Sequence, residues 1–292
     1  MFRTTRIVLL AAAVFVVTAA GQLHAQYSRV VVFGDSLCDT GNSFAATGIP
    51  PAPYYSEGRF SNGPIWIDFL QQQMGLSDAQ LLNFAVGGSS TGFGFKEPPE
   101  GIFETPPGTL IPTVGEQIGI YQLVSGGVSD PDQLTILWAG SNDLFTYNLP
   151  ASVVNNIEQH VRDLAATGAD EFLIPGISPI GSTPSLRWTF EGFILNYFAR
   201  QTNRKLNRRL NALEDELGIT IHRLDTYTLT VLATLFPSHF GLTNTTNSAL
   251  DDIADGLITP AEGATYLYWD IIHPTSIVHQ TLAAAAIDVL TD

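Results

Sequence analysis

The chain has one cysteine, Cys38, in 292 residues, so it can form no internal disulfide and offers no cysteine pattern for a metal. Cys38 reads as a small buried hydrophobe rather than a nucleophile, because a reactive thiol needs a paired base and exposure. Positive charge is also scarce. Thirteen Lys and Arg face 28 Asp and Glu, for a net charge of -15. A field of that sign repels phosphate backbones and anionic membrane surfaces, which argues against a nucleic-acid partner. After the first 20 residues no apolar run is long enough for a bilayer, which takes about 20 residues. The stretch "LAAAAIDVL" near the C-terminus is short and reads as a helix on the core, so no stable transmembrane anchor is expected. Around Ser36 the chain reads Gly34-Asp35-Ser36-Leu37-Cys38, which does not continue as G-x-S-x-G, and there is no H-E-x-x-H, no P-loop and no repeat of roughly 20 to 50 residues.

What the N-terminus has is a leader. Arg3 and Arg6 precede an apolar run from Ile7 to Ala20, and Leu23-His24-Ala25 resembles a cleavage site. This predicts a signal peptide over residues 1–25, cut near Ala25, and a secreted or periplasmic protein. The 13 basic residues less those two arginines leave 11 against 28 acids, a net -17. Residues 26–292 are expected to form a single domain.

Apolar, β-branched runs alternate with helical periodicity along that domain. "SRVVVFGDS", "AQLLNFAVGG", "QLTILWAGSND", "DEFLIPGIS" and "GITIHRLD" read as strands. They are continuous rather than alternating, as suits parallel strands covered on both faces. Between and after them, helices are predicted in "NGPIWIDFLQQQMG", "VGEQIGIYQLVSG", "SVVNNIEQHVRDLAATG" with Ser152 as N-cap, "FEGFILNYFARQTNRKLNRRLNALEDELG" and "TSIVHQTLAAAAIDVL". The fold class is α/β, a sandwich with a parallel sheet. The basic cluster Arg200 to Arg209 reads as a solvated helix face. Gly92 to Pro112 is long and irregular, either a surface excursion or a lid or pocket wall.

Four short stretches fall where strands end on the carboxyl rim, where α/β sheets place their sites. They are Gly34-Asp35-Ser36-Leu37, "NFAVGGSS", "AGSND" and "YWDIIHP". Together they hold the parts of acyl transfer. A serine hydroxyl needs a base, the base needs an orienting carboxylate, and the tetrahedral intermediate needs oxyanion donors. Asp270 and His273, three apart on one turn, supply the acid and base. Ser36 supplies the hydroxyl and a backbone N–H. Gly88 supplies a second N–H, its neighbour Gly87 being the alternative, and Asn142 a side-chain amide. Asp35 reads as fixing the loop by hydrogen bonds, as do Asp39, Thr40 and Asn42. His160, on a predicted exposed helix, His222 and His279 read as structural or surface residues, and His239 as a possible substrate contact. Trp66, Phe93 and Phe95 are candidates for an acyl groove or a sugar platform.

The blocks "FGDSLCDTGN", "NFAVGGSS", "GSND" and "DIIHP", in that order from Phe33 to Pro274, resemble those of the GDSL esterases and lipases, also called SGNH hydrolases. "DTGN" and "YWDIIHPT" are most similar to the secreted lipase, lecithinase and hemolysin-like branch, which includes acyltransferases. The resemblance implies a three-layer α/β/α sandwich with a flavodoxin-like parallel sheet and no metal or organic cofactor. It implies Ser36 as nucleophile, Asp270 and His273 as acid and base, and Ser36, Gly88 and Asn142 as oxyanion hole. The implied activity is hydrolysis of acyl esters, with a small-molecule or lipid ester as substrate. Carbohydrate O-deacetylation and lipid acyl transfer are alternatives on the same site, and a non-catalytic binding module on the same fold is a more remote one.

Overall fold

The computed structural model describes residues 27–98, 103, 105 and 107–291. The predicted leader lies outside the described residues. In chain order the strands are β1 (Arg29–Gly34), β2 (Leu81–Asn83), β3 (Phe95–Lys96), β4 (Ile111–Pro112), β5 (Gln133–Trp138), β6 (Glu171–Pro175), β7 (Thr220–Leu224), β8 (Asn244–Ser248) and β9 (Tyr266–Tyr268). Five of them, those read from the sequence, form one parallel sheet in the order β2-β1-β5-β6-β7. Two small sheets, β3-β4 and β8-β9, lie outside it.

Because side chains alternate across a strand, β1 serves two cores. Val31 and Phe33 pack with the helices Val114–Ser125, Pro150–Ala165 and Phe190–Leu217. Val30 and Val32 pack on the other face with Trp66–Met74 and Ser276–Thr291. The result is the expected α/β/α sandwich. Helices cover both faces of the sheet, which is why its strands carry continuous apolar runs.

Two local expectations are corrected. The helix expected to start at Ser152 begins at Pro150, whose fixed φ suits the first helical position. His160 on that helix is fully buried, its Nε2 2.6 Å from the Thr91 carbonyl. The chain reverses its winding direction between β1 and β5. In sheets of this order the rim beside that reversal opens a crevice.

Candidate active site

Ser36 follows β1 at the tip of a tight turn. Gly34 closes the strand, and a Cβ there would come within 2.5 Å of the Trp138 carbonyl oxygen, so only glycine lets β1 pair with β5 at this point. The Asp35 carbonyl then accepts the N–H groups of Cys38 and Asp39, and its side chain accepts that of Leu37 at 3.1 Å. This leaves the Ser36 side chain at the rim, with Oγ 2.9 Å from His273 Nε2.

His273 sits on a closed loop after β9, where its carbonyl accepts the Trp269 N–H at 2.7 Å. Its Nδ1 lies 2.7 Å from Asp270 Oδ2. The same carboxylate accepts the N–H groups of Ile272 (2.8 Å) and His273 (2.7 Å) on Oδ1, and the Tyr55 hydroxyl (2.8 Å) on Oδ2. Burial alone would raise the Asp270 carboxyl. The charge of His273 and these donors outweigh it and hold the group below the usual range. Sequence reasoning missed Tyr55 and also Phe60, whose ring lies 5.2 Å from the imidazole. Neither belongs to the motif blocks, and each reaches the site across a long sequence separation.

The two glycines are distinguished by their bonding. The Gly87 N–H donates to Asp39 Oδ2 (2.8 Å) and Ser43 Oγ (2.7 Å). The N–H groups of Gly88 and Ser36 have no hydrogen-bond partner among the described residues. Gly88 turns at φ 82°, which suits glycine. Asn142 follows β5, and its amide donates to the Ser89 carbonyl at 2.9 Å and approaches Asp35 Oδ2 at 3.4 Å. The longer contact is beyond the usual N–H···O range, so that hydrogen remains available. Asp143 holds the facing loop through the Thr91 N–H and hydroxyl. Asp39 likewise binds Gly41, Asn42, Ser43 and Gly87, the loop-fixing role read for it.

The family model described as GDSL-like Lipase/Acylhydrolase matches residues 30–286. The chain belongs to that family. This GDSL protein is a hydrolase acting on esters. It is 27% identical to a phosphatidylcholine-sterol acyltransferase of Aeromonas hydrophila, over 89% of this chain and 89% of the relative. It is 26% identical to a thermolabile hemolysin of Vibrio parahaemolyticus, over 88% of this chain but 62% of the hemolysin. It is 27% identical to a GDSL esterase/lipase of Arabidopsis thaliana, over 89% of this chain and 88% of that protein.

In this GDSL hydrolase a cavity of about 370 Å³ opens at Ser36 and His273. Phe60, Phe103, Leu110, Phe145, Leu186 and Ile271 make its walls largely apolar. Phe103 and Leu110, both from the 92–112 segment, are part of those walls. The aromatics picked from the sequence are not. Trp66 is completely buried, edge-on to Trp138, because its position faces the core side of its helix. Phe93 and Phe95 are exposed outside the cavity, and so is His239. A second space of about 80 Å³ adjoins Ser36 and His273 on the side of Pro179, Tyr268 and Leu282.

Asp35 is the unusual neighbour. Burial pushes its carboxyl up to about 7, with the Leu37 N–H and His273 opposing. An unfolded Asp titrates near 3.9. A value raised in the fold means that its stabilising effect is full below about pH 4 and is lost as pH rises through 7. Asp35→Asn, which has no such proton to lose, is expected to show a flatter fall in Tm between pH 5 and 9 than wild type. Parallel Tm profiles for the two proteins would show that Asp35 is not the source.

Proposed function

We propose that the protein is a serine esterase for lipid acyl esters, working through Ser36, His273 and Asp270. In this reading His273 Nε2 takes the Ser36 proton as Oγ attacks the ester carbonyl. Asp270 holds Nδ1–H in place and supports the imidazolium. The oxyanion is met by the N–H groups of Ser36 and Gly88 and by Asn142. The imidazolium then gives its proton to the leaving alcohol, and water, activated by the same imidazole, releases the acid and regenerates Ser36.

The observation that carries this is the unbroken Asp270–His273–Ser36 hydrogen-bond chain at the mouth of an apolar cavity. Apolar walls favour an acyl chain over a sugar. The second space beside Ser36 favours one further reading, transfer of the acyl group to a lipid alcohol instead of water. Residues 1–25 are proposed to be a cleaved leader that sends one hydrolase domain out of the cytoplasm.

Hydrolysis of p-nitrophenyl esters from acetyl to palmitoyl tests the substrate class. A rate that rises with chain length supports it, and a rate confined to acetyl moves the assignment to deacetylation. Asn142→Ala is expected to lower kcat by about 10²–10³ with KM little changed, as for loss of one oxyanion donor. A drop of less than threefold would remove Asn142 from the oxyanion hole.

A further inference from the structure

One face of the helix Phe190–Leu217 is neither packed nor polar at its start. Phe190, Phe193 and Tyr197 are 79%, 73% and 54% exposed. Arg200, Arg204 and Arg208 continue the same stripe, at intervals of three and four that keep all six on one side. Just before the helix, Trp188 is 92% exposed with φ 66°, a backbone conformation that bulky residues rarely adopt. Tyr147 is also exposed at φ 60°, and its hydroxyl bonds Glu191 of the helix at 2.5 Å. Strain that holds two aromatic rings out in water points to use rather than packing.

The arginines confirm that this face is distinct. Arg29, Arg59, Arg162, Arg209 and Arg223, which lie off the stripe, each form an ion pair. Arg187 lies over the Trp188 ring. Arg204 and Arg208 have no acidic partner among the described residues, and Arg200 bonds only the Tyr227 hydroxyl and ring. Among the described residues, Arg204 and Arg208 thus stand without an acidic partner on the helix side that carries the exposed aromatics. The net negative charge does not decide attraction at this face, because salt screens exposed charges beyond about 10 Å, and Asp225 is the acid that shares a groove with Arg200 and Arg204.

The face also adjoins the cavity. Phe145 and Leu186 line it, and each lies two residues before one of the strained aromatics, Tyr147 and Trp188. Ser185 N–H donates to the Ile271 carbonyl, which ties this segment to the loop bearing His273.

We propose that this face docks on a lipid surface of anionic character. The aromatics enter the interfacial layer, the arginines meet anionic headgroups, and the cavity mouth is held against the lipid. The inference deepens the lipid-ester reading, and its test separates the two.

The test is flotation of the Ser36→Ala protein, which leaves vesicles uncleaved, with phosphatidylcholine vesicles and with vesicles containing about a third phosphatidylglycerol. Binding is expected to be at least tenfold tighter on the anionic vesicles. Adding Phe190→Ser and Phe193→Ser should weaken it about tenfold or more, and Arg204→Glu with Arg208→Glu should abolish the anionic preference. In a Ser36 background, Phe190→Ser with Phe193→Ser should hydrolyse a soluble short-chain ester as wild type does, which reports an intact fold. No binding to either vesicle, or unchanged binding by the aromatic variant, overturns the proposal. So does a dimer in sedimentation velocity that the aromatic variant dissolves, with no vesicle binding, since the face would then cover a second copy. Docking without turnover of any ester would instead count against the esterase reading alone.

Discussion

Ser36→Ala is expected to lower kcat/KM on a soluble ester by about 10⁴–10⁶, the range found when one member of such a unit is removed. Among the described residues, Ser36 Oγ is the hydroxyl held against His273 Nε2, at 2.9 Å. The fold should barely respond. Ser36 belongs to neither core cluster that flanks the sheet, and the loss is one hydrogen bond of about 1 kcal/mol. In a chain of this size that is a shift in Tm of about 2–4 °C. A fluorophosphonate probe should label wild type and not the variant. Activity within tenfold of wild type would mean that the nucleophile is elsewhere.

Asp270→Asn should cost about 10⁴ in kcat/KM with the loop intact. An asparagine can keep Oδ1 toward the N–H groups of Ile272 and His273, which now bind the carboxylate. Its amide then faces Nδ1, which must accept instead of donate. The imidazole turns to the tautomer with a proton on Nε2, the nitrogen that faces Ser36. That nitrogen can no longer take the serine proton. The pH–rate profile and Tm together make the check. A folded variant with a loss below tenfold would point to another acid, Asp35, which is buried beside the same histidine.

Much of this arrangement is legible in the residues alone, for physical reasons that differ from part to part. The five sheet strands were readable because a parallel strand covered on both faces has to be apolar at consecutive positions, as in "RVVVF". Ser36, Asp270 and His273 stand out in the sequence because acyl transfer would demand those residue types on local turns, and the structure brings the three into one hydrogen-bond chain. Gly88 could not be separated from Gly87 that way. What differs between them is bonding, since Asp39 and Ser43, more than 40 residues away, take the Gly87 N–H.

The cavity wall is the least legible part. Trp66, Phe93 and Phe95 are aromatic, but composition says nothing of direction. The ring that touches the imidazole is Phe60, and Tyr55 reaches Asp270 across 215 positions. The net negative charge likewise counts residues without placing them, and the long helix gathers Arg200, Arg204 and Arg208 on one side.

The sequence by itself determined the layer architecture, the rim on which the site stands and the chemical parts present there. Hydrophobic periodicity and the demands of acyl transfer are local properties, written in spans of a few residues. Only the tertiary structure decided which N–H groups stay free, which rings line the cavity and which cations lack partners. Those are outcomes of contacts between segments distant in the chain, and no local pattern encodes them.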